Sequence, residues 1–333
     1  MRLTRTRESS KSSSSSSNVH QKTAEVIRID AQVETWAVAC LVDGKHIVSG
    51  GEEGKIRRWR IEDGQEVGTP MDAKSPVLDI AVSQDGKWVV SGARSGSVAV
   101  WSAKSHSKVT EFKAHDSAVC AVDVSPDATK IATGSDDNTA CVWSVAGERL
   151  LGPFKHNDSV IGFKFSPDGR LIAAATVFRD SVRIYDSQNG RLLVDFPIQV
   201  SSDLNRSLAW ASDNNQLFVL SLDGNIHSLD VFTGKTRSRW PVSSAGDVKS
   251  IALASNGTFI AASTSSSISL WDTPTHKKID CAIQHTSFFG SMALSSNYDL
   301  VTVARNVITI GKLCDVLPSR YCDIVSSFSS DVH

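Results

Sequence analysis

Short apolar runs of five or six residues alternate along this chain with clusters of turn-forming residues. The clearest stretch reads Val119-Cys120-Ala121-Val122-Asp123-Val124, then Ser125-Pro126-Asp127, Ile131-Ala132-Thr133-Gly134, Ser135-Asp136-Asp137-Asn138 and Ala140-Cys141-Val142-Trp143. Gly, Asn and Asp tolerate positive φ or bond their own backbone, and Ser-Pro-Asp starts a turn. Each break is therefore read as a tight reversal, and the runs as antiparallel strands. A fourth strand, over 108–113, precedes Ala114-His115.

The whole unit recurs. A large residue closes successive copies at Trp59, Trp101, Trp143, Tyr185, Leu229, Trp271 and Ile310, at intervals of 42, 42, 42, 44, 42 and 39 residues. A period of about 40–45 residues marks a four-stranded blade copied in tandem. One blade leaves an apolar face bare on each side, so blades must stack until a ring closes. The inner three strands are expected at 35–60, 77–102, 119–144, 160–186, 205–230, 248–272 and 289–311. Outer strands are expected at 25–30, 66–71, 108–113, 149–154, 191–196, 235–240 and 277–282. Since the first outer strand precedes every inner set, 25–30 should complete the last blade and remove an exposed edge. The pattern predicts an all-β, seven-bladed β-propeller of four-stranded antiparallel blades over 24–313, closed by that N-terminal strand. Residues 1–23, rich in Ser and Arg, are expected to form a disordered arm, and 314–333 a tail that has lost the repeat.

With those residues in view, the chain resembles the WD-repeat propellers, named for a Trp-Asp pair closing each unit. The pair stands intact at Trp271-Asp272, nearly so at Tyr185-Asp186 and Leu229-Asp230, and is lost at Trp59-Arg60, Trp101-Ser102 and Trp143-Ser144. The resemblance implies a hydrogen-bonded tetrad of His, Ser or Thr, Asp and Trp inside a blade, which His115, Thr133, Asp137 and Trp143 supply in the third copy. That set looks like a catalytic triad, but a buried indole N–H in need of an acceptor explains it without chemistry. Other copies break the tetrad, with Glu53 and Ser95 at the Asp position, Ala174 beside His156, and Leu229 in place of Trp. Blades four to seven are expected to rely more on apolar packing.

Composition narrows the function. Formal net charge is −1 over 333 residues, so the overall balance does not favour nucleic acid. The longest apolar run, Trp36 to Val42, is far short of a membrane span. Arg2, Arg5, Arg7 and the tract Ser12 to Ser17 are not a secretory signal, and an intracellular protein, cytoplasmic or nuclear, is expected. The six cysteines show no CxxC pair and no paired spacing with His, so neither a disulfide framework nor a metal site is indicated.

The residues opening the inner strands are Trp36, Leu78, Cys120, Ile161, Arg206, Lys249 and Gly290. None is a carboxylate or a histidine, so propeller-type hydrolytic or redox catalysis has no constellation to use. No cofactor and no small-molecule substrate are expected. Rigid loops on a rigid ring bind other proteins or peptides at small ordering cost, which is also what the resemblance implies. The expected partner contacts are Trp36, Leu78, Arg94, Ile161, Arg179, Arg206 and Lys249 on one face. A second reading has Leu78, Cys120 and Ile161 plugging the channel. The alternative function is a ligand-sensing module related to the C-terminal propellers of nucleotide-driven switch proteins.

Overall fold

A computed structural model describes residues 24–177, 182–200, 207–243, 248–264, 267–279 and 291–322. Within them lie seven four-stranded antiparallel sheets, each with the strand order of a simple meander except the last. The inner strands are β2 (Thr35–Cys40), β6 (Val77–Val82), β10 (Val119–Val124), β14 (Val160–Phe165), β18 (Leu208–Trp210), β22 (Val248–Leu253) and β26 (Ser291–Leu294). The last sheet is closed by β1 (Val26–Asp30), which pairs antiparallel with β28 (Val307–Lys312) in the register Val26↔Gly311 through Asp30↔Val307. The two ends of the repeat thus share one sheet, and β28 is not left as an open edge.

The core sits between blades. In the middle strand of blade three, β11 (Lys130–Ser135), Gly134 lies so close to the next blade that a Cβ would come within 2.7 Å of the Val160 carbonyl oxygen. Gly92 meets Val119 at the same distance one blade earlier. Glycine here lets the middle strand of one blade press on the inner strand of the next.

The structure corrects the sequence reading at two places and completes it at a third. The outer strand expected at 66–71 is β5 (Met71–Asp72), with an isolated bridge from Trp59 to Glu66, because Gly68 and Pro70 interrupt the ladder. The sequence leaves open whether the tail beyond 313 packs on the propeller, and as far as 322 it does. Two 3₁₀ turns, Leu313–Asp315 and Ser319–Tyr321, fold Leu313, Leu317 and Tyr321 into the cluster holding Phe259 and Leu300. The Tyr321 hydroxyl donates to Asp272 Oδ2 at 2.6 Å, so the aspartate of the intact Trp-Asp pair ties down the chain end. Finally, Cys314 and Cys322 are joined as a disulfide, with Cα atoms 5.9 Å apart, where no disulfide was expected. Two successive 3₁₀ turns bring together cysteines whose spacing matches no framework. The arm at 1–23 and the residues 323–333 lie outside the described residues.

Candidate functional site

In β2, β6, β10, β14 and β22 the register slips between Thr35 and Ala37, Val77 and Asp79, Val119 and Ala121, Val160 and Gly162, and Val248 and Ser250. The residue skipped each time is Trp36, Leu78, Cys120, Ile161 or Lys249. A bulge releases its residue from the ladder and re-aims the side chain. Five of the seven positions found from spacing are therefore set apart by a bulge, and the other two, Arg206 and Gly290, lie outside the described residues.

Their environments differ. Leu78, Cys120 and Ile161 are 8%, 1% and 2% exposed and belong to one apolar cluster, against which the half-buried Trp36 packs. Leu78 and Ile161, expected as partner contacts, are thus closed off in a plug, because apolar side chains converging on the axis cover one another. Cys120 donates from Sγ to Asp136 Oδ1 at 3.1 Å, and burial pushes its thiol far above the ordinary range. Above the plug, the guanidinium of Arg94 lies 4.9 Å from the Trp36 ring centroid, and its Nη2 is 3.9 Å from a Glu52 carboxylate oxygen. Arg94, Glu52 and Asp136 are exposed, and Lys249 is half-buried. Arg179 and Arg206 lie outside the described residues. The stacking of Arg94 on Trp36 joins two blades, and no spacing in the sequence announces it.

The tetrad of blade three is a directed chain. Trp143 Nε1–H donates to Thr133 Oγ1 at 2.9 Å, and Thr133 Oγ1 lies 2.7 Å from His115 Nε2. His115 Nδ1 lies 2.9 Å from Asp137 Oδ2, and Asp137 also accepts the Thr139 hydroxyl at 2.6 Å and the Asp116 N–H at 3.1 Å. A neutral imidazole protonated at Nδ1 satisfies every member. Burial holds the His115 pKa below its ordinary value, with Asp137 opposing, which favours that neutral form. Thr133 is fully buried and His115 is 4% exposed, so the set is committed to the indole and offers nothing to a substrate. Blades one and two keep a shorter version, Trp59 to Ser49 at 2.8 Å and Trp101 to Ser91 at 3.0 Å. In blade four His156 Nε2 is 3.4 Å from the Tyr185 hydroxyl, and the Trp271 indole N–H of blade six has no partner among the described residues.

Below the plug a cavity of about 430 Å³ is lined by inner strands of all seven blades. At one level five blades present Ala39, Ala81, Ala209, Ala252 and Ala293, whereas blades three and four present Asp123 and Lys164. Asp79 of blade two also lines the space. These side chains bridge the channel edges of neighbouring inner strands. Asp79 Oδ2 accepts Val122 N–H at 2.8 Å, Asp123 Oδ2 accepts Phe165 N–H at 2.9 Å, and Lys164 Nζ donates to the Leu208 carbonyl at 3.4 Å. Uncharged groups make such ties too, with Ser291 Oγ accepting Val38 N–H at 3.1 Å and Trp210 Nε1–H donating to the Lys164 carbonyl at 3.2 Å.

Burial raises the Asp123 pKa to about 6, Lys164 and two backbone N–H groups oppose the shift, and Asp79 adds to it. A carboxyl whose folded pKa lies above its unfolded value is destabilising when ionised, and that cost fades as pH falls through about 6 toward about 4. Asp123→Asn is therefore expected to be more stable than the parent by about 1–2 kcal/mol above neutral pH. Denaturant titrations should show the gap closing toward pH 5. A gap that is constant with pH, or that widens on acidification, would contradict the assignment.

Among the described residues no cluster of His, Cys, Asp and Glu is arranged to hold a metal ion, and no helix is long and apolar enough to cross a membrane. The family model for the WD domain, G-beta repeat, matches residues 64–102, 106–144, 149–186 and 235–272. Among solved structures, the crystal structure of RRP9 WD40 repeats superposes with a TM-score of 0.74 at 20% identity, covering 88% of this chain and 99% of that one. The structure of U3-55K does so with a TM-score of 0.71 at 20% identity, covering 85% and 96%. Identity this low carries the fold alone. No curated protein matches the chain significantly. Four stretches of the chain thus match the WD repeat, and they lie within a β-propeller of seven four-stranded blades like those of the WD-repeat structures it resembles.

Proposed function

We propose that the propeller is a non-catalytic scaffold that holds other proteins or peptides on the face bearing Trp36, Arg94 and Lys249. The observation that carries this reading is the stack of Arg94 on Trp36 over a closed apolar plug. An aromatic ring and a guanidinium held rigid by one another lose little freedom on binding, and Trp and Arg are the residue types most concentrated at interface hot spots. Glu52 and Asp136 on adjacent turns add charges of the opposite sign, which serves partner choice more than affinity. Catalysis is disfavoured because the His-Asp-Thr constellation is used up inside blade three.

Affinity purification with the parent and with Trp36→Ala/Arg94→Ala/Lys249→Ala tests the reading. The variant should lose at least one partner that the parent retains, by about tenfold or more in a direct binding assay, as expected for removing hot-spot side chains. Equal recovery of every partner by a variant of unchanged melting temperature would place the interface elsewhere.

A further inference from the structure

Exposed apolar side chains are not scattered over the propeller. Among the described residues eight large ones are exposed, and five of them, Val109, Leu150, Leu192, Leu193 and Phe232, fall on the outer rim of four consecutive blades. The outer strands there are β9 (Lys108–Lys113), β13 (Arg149–Lys155), β17 (Leu192–Phe196) and β21 (Lys235–Pro241), in blades two to five. Each slips in register against the third strand of its blade, and the residue skipped is Val109, Leu150, Leu193 or Arg237. A bulge frees its residue from the ladder and re-aims the side chain. Three aliphatic side chains, 47%, 46% and 38% exposed, are thus held at one equivalent position on successive blades.

Contacts between blades make the row continuous. The turn before β17 rests on blade three, where a Cβ at Gly190 would lie 3.0 Å from Phe154 and 3.8 Å from Leu151. The turn before β21 rests on blade four, where a Cβ at Gly234 would lie 3.3 Å from Val194. Phe232, in this second turn, is 72% exposed and carries the row beyond Leu193. Apolar groups gathered in this way on a solvent face mark an interaction surface.

Direction and charge define the occupant. The row crosses the outer strands instead of following one, and the bulge in each strand spoils the edge that an added strand would pair with. A helix laid across the blades with one apolar face meets that geometry. Along 102–113, 144–155, 186–196 and 230–239, Lys and Arg outnumber Asp and Glu by nine to five, although the chain as a whole is formally −1. Glu111, Asp195 and Asp230 are already held by Lys108, Arg183 and Arg237. Arg149, Arg191 and Lys235 are exposed beside the row and have no carboxylate partner among the described residues.

We propose that the rim of blades two to five binds an amphipathic helix of a partner protein whose polar face carries Asp and Glu. Val109, Leu150, Leu193 and Phe232 take its apolar stripe, and Arg149, Arg191 and Lys235 face its carboxylates. The rim is separate from the Trp36 face and does not rest on the binding proposed there.

The test is calorimetric or fluorescence-anisotropy titration of the full chain with a designed peptide of about 18 residues, long enough to hold a helix, with Leu on one face and Glu elsewhere. One companion peptide replaces every Glu by Lys, another shuffles the same residues so that no face is apolar, and a uridine oligomer tests the rim for nucleic acid. The Leu/Glu helix should bind at least about tenfold more tightly than any of the three. Leu150→Ser/Leu193→Ser and, separately, Arg149→Gln/Arg191→Gln/Lys235→Gln should each weaken it about tenfold, and the second difference should shrink as salt is raised. Val42→Ser removes an equally exposed apolar side chain from blade one and should leave binding unchanged. Equal binding of the Leu/Glu helix and either companion peptide, or full binding by either multiple variant at an unchanged melting temperature, would overturn the proposal. So would tighter binding of the uridine oligomer, which assigns the rim to nucleic acid, or self-association of the parent that Leu150→Ser/Leu193→Ser abolishes, which assigns it to a second copy.

Discussion

Removing residues 1–30 is expected to destabilise the propeller by about 4 kcal/mol or more, whereas removing residues 1–22 should cost little. The difference between the two truncations is β1. Its five registered residues pair with β28, Ala31 N–H donates to the Asn306 carbonyl at 2.7 Å, and Lys312 N–H donates to the Glu25 carbonyl at 3.1 Å. Ile29 is 4% exposed and packs with Trp59, Val301 and Ile310, so its loss alone has the cost of a core deletion, about 2–5 kcal/mol. The ion pair of Lys312 with Glu25, 3.2 Å long and well exposed, adds little. Loss of β1 also uncovers the β28 edge, and an unpaired edge recruits other chains. Thermal melts and size-exclusion chromatography of both truncations decide the matter. Melting temperatures within about 2 °C of each other, less than 1 kcal/mol for a chain of this size, together with monomeric behaviour would show that the ring holds without its lock.

That β1 belongs to the last blade could be read from counting, because an outer strand stood at 25–30 before any inner set. The blade number and the tetrad of His115, Thr133, Asp137 and Trp143 were legible for the same reason, since a period places equivalent residues in equivalent environments. What the period does not carry is the difference between copies. Spacing put Leu78 and Ile161 where each inner strand opens, which the structure shows to be a bulge, but it cannot say that side chains from neighbouring blades pack there and bury one another. Register slips, which single out the five bulge residues, leave no mark in composition. The column Ala39, Ala81, Asp123, Lys164, Ala209, Ala252 and Ala293 was visible in principle, once the copies were aligned at the third residue beyond the mouth. The Cys314–Cys322 pair and the docking of Tyr321 were not, because both follow from turns beyond the last repeat.

The largest expected effect of a single substitution is that of Trp143→Ala, about 3–5 kcal/mol, the usual cost of deleting a buried large aromatic. Two terms add. The indole is 7% exposed and packs on Phe112 with ring centroids 5.1 Å apart, so truncation leaves a cavity between blades two and three that backbone ladders on both sides keep from collapsing. It also removes the donor that ends the chain running from Asp137 through His115 to Thr133, leaving a fully buried hydroxyl with one acceptor position empty. Trp143→Phe separates the terms, keeping most of the volume and losing the N–H, and should cost about 1–2 kcal/mol. Trp88, half-buried at the start of its strand and outside any such chain, is the control, and Trp88→Ala should cost less than half as much. Denaturant titrations of the three variants settle the ranking. A Trp143→Ala variant no less stable than Trp88→Ala would mean that the tetrad ties nothing. A Trp143→Phe variant equal to the parent would mean that the packing matters and the hydrogen bond does not.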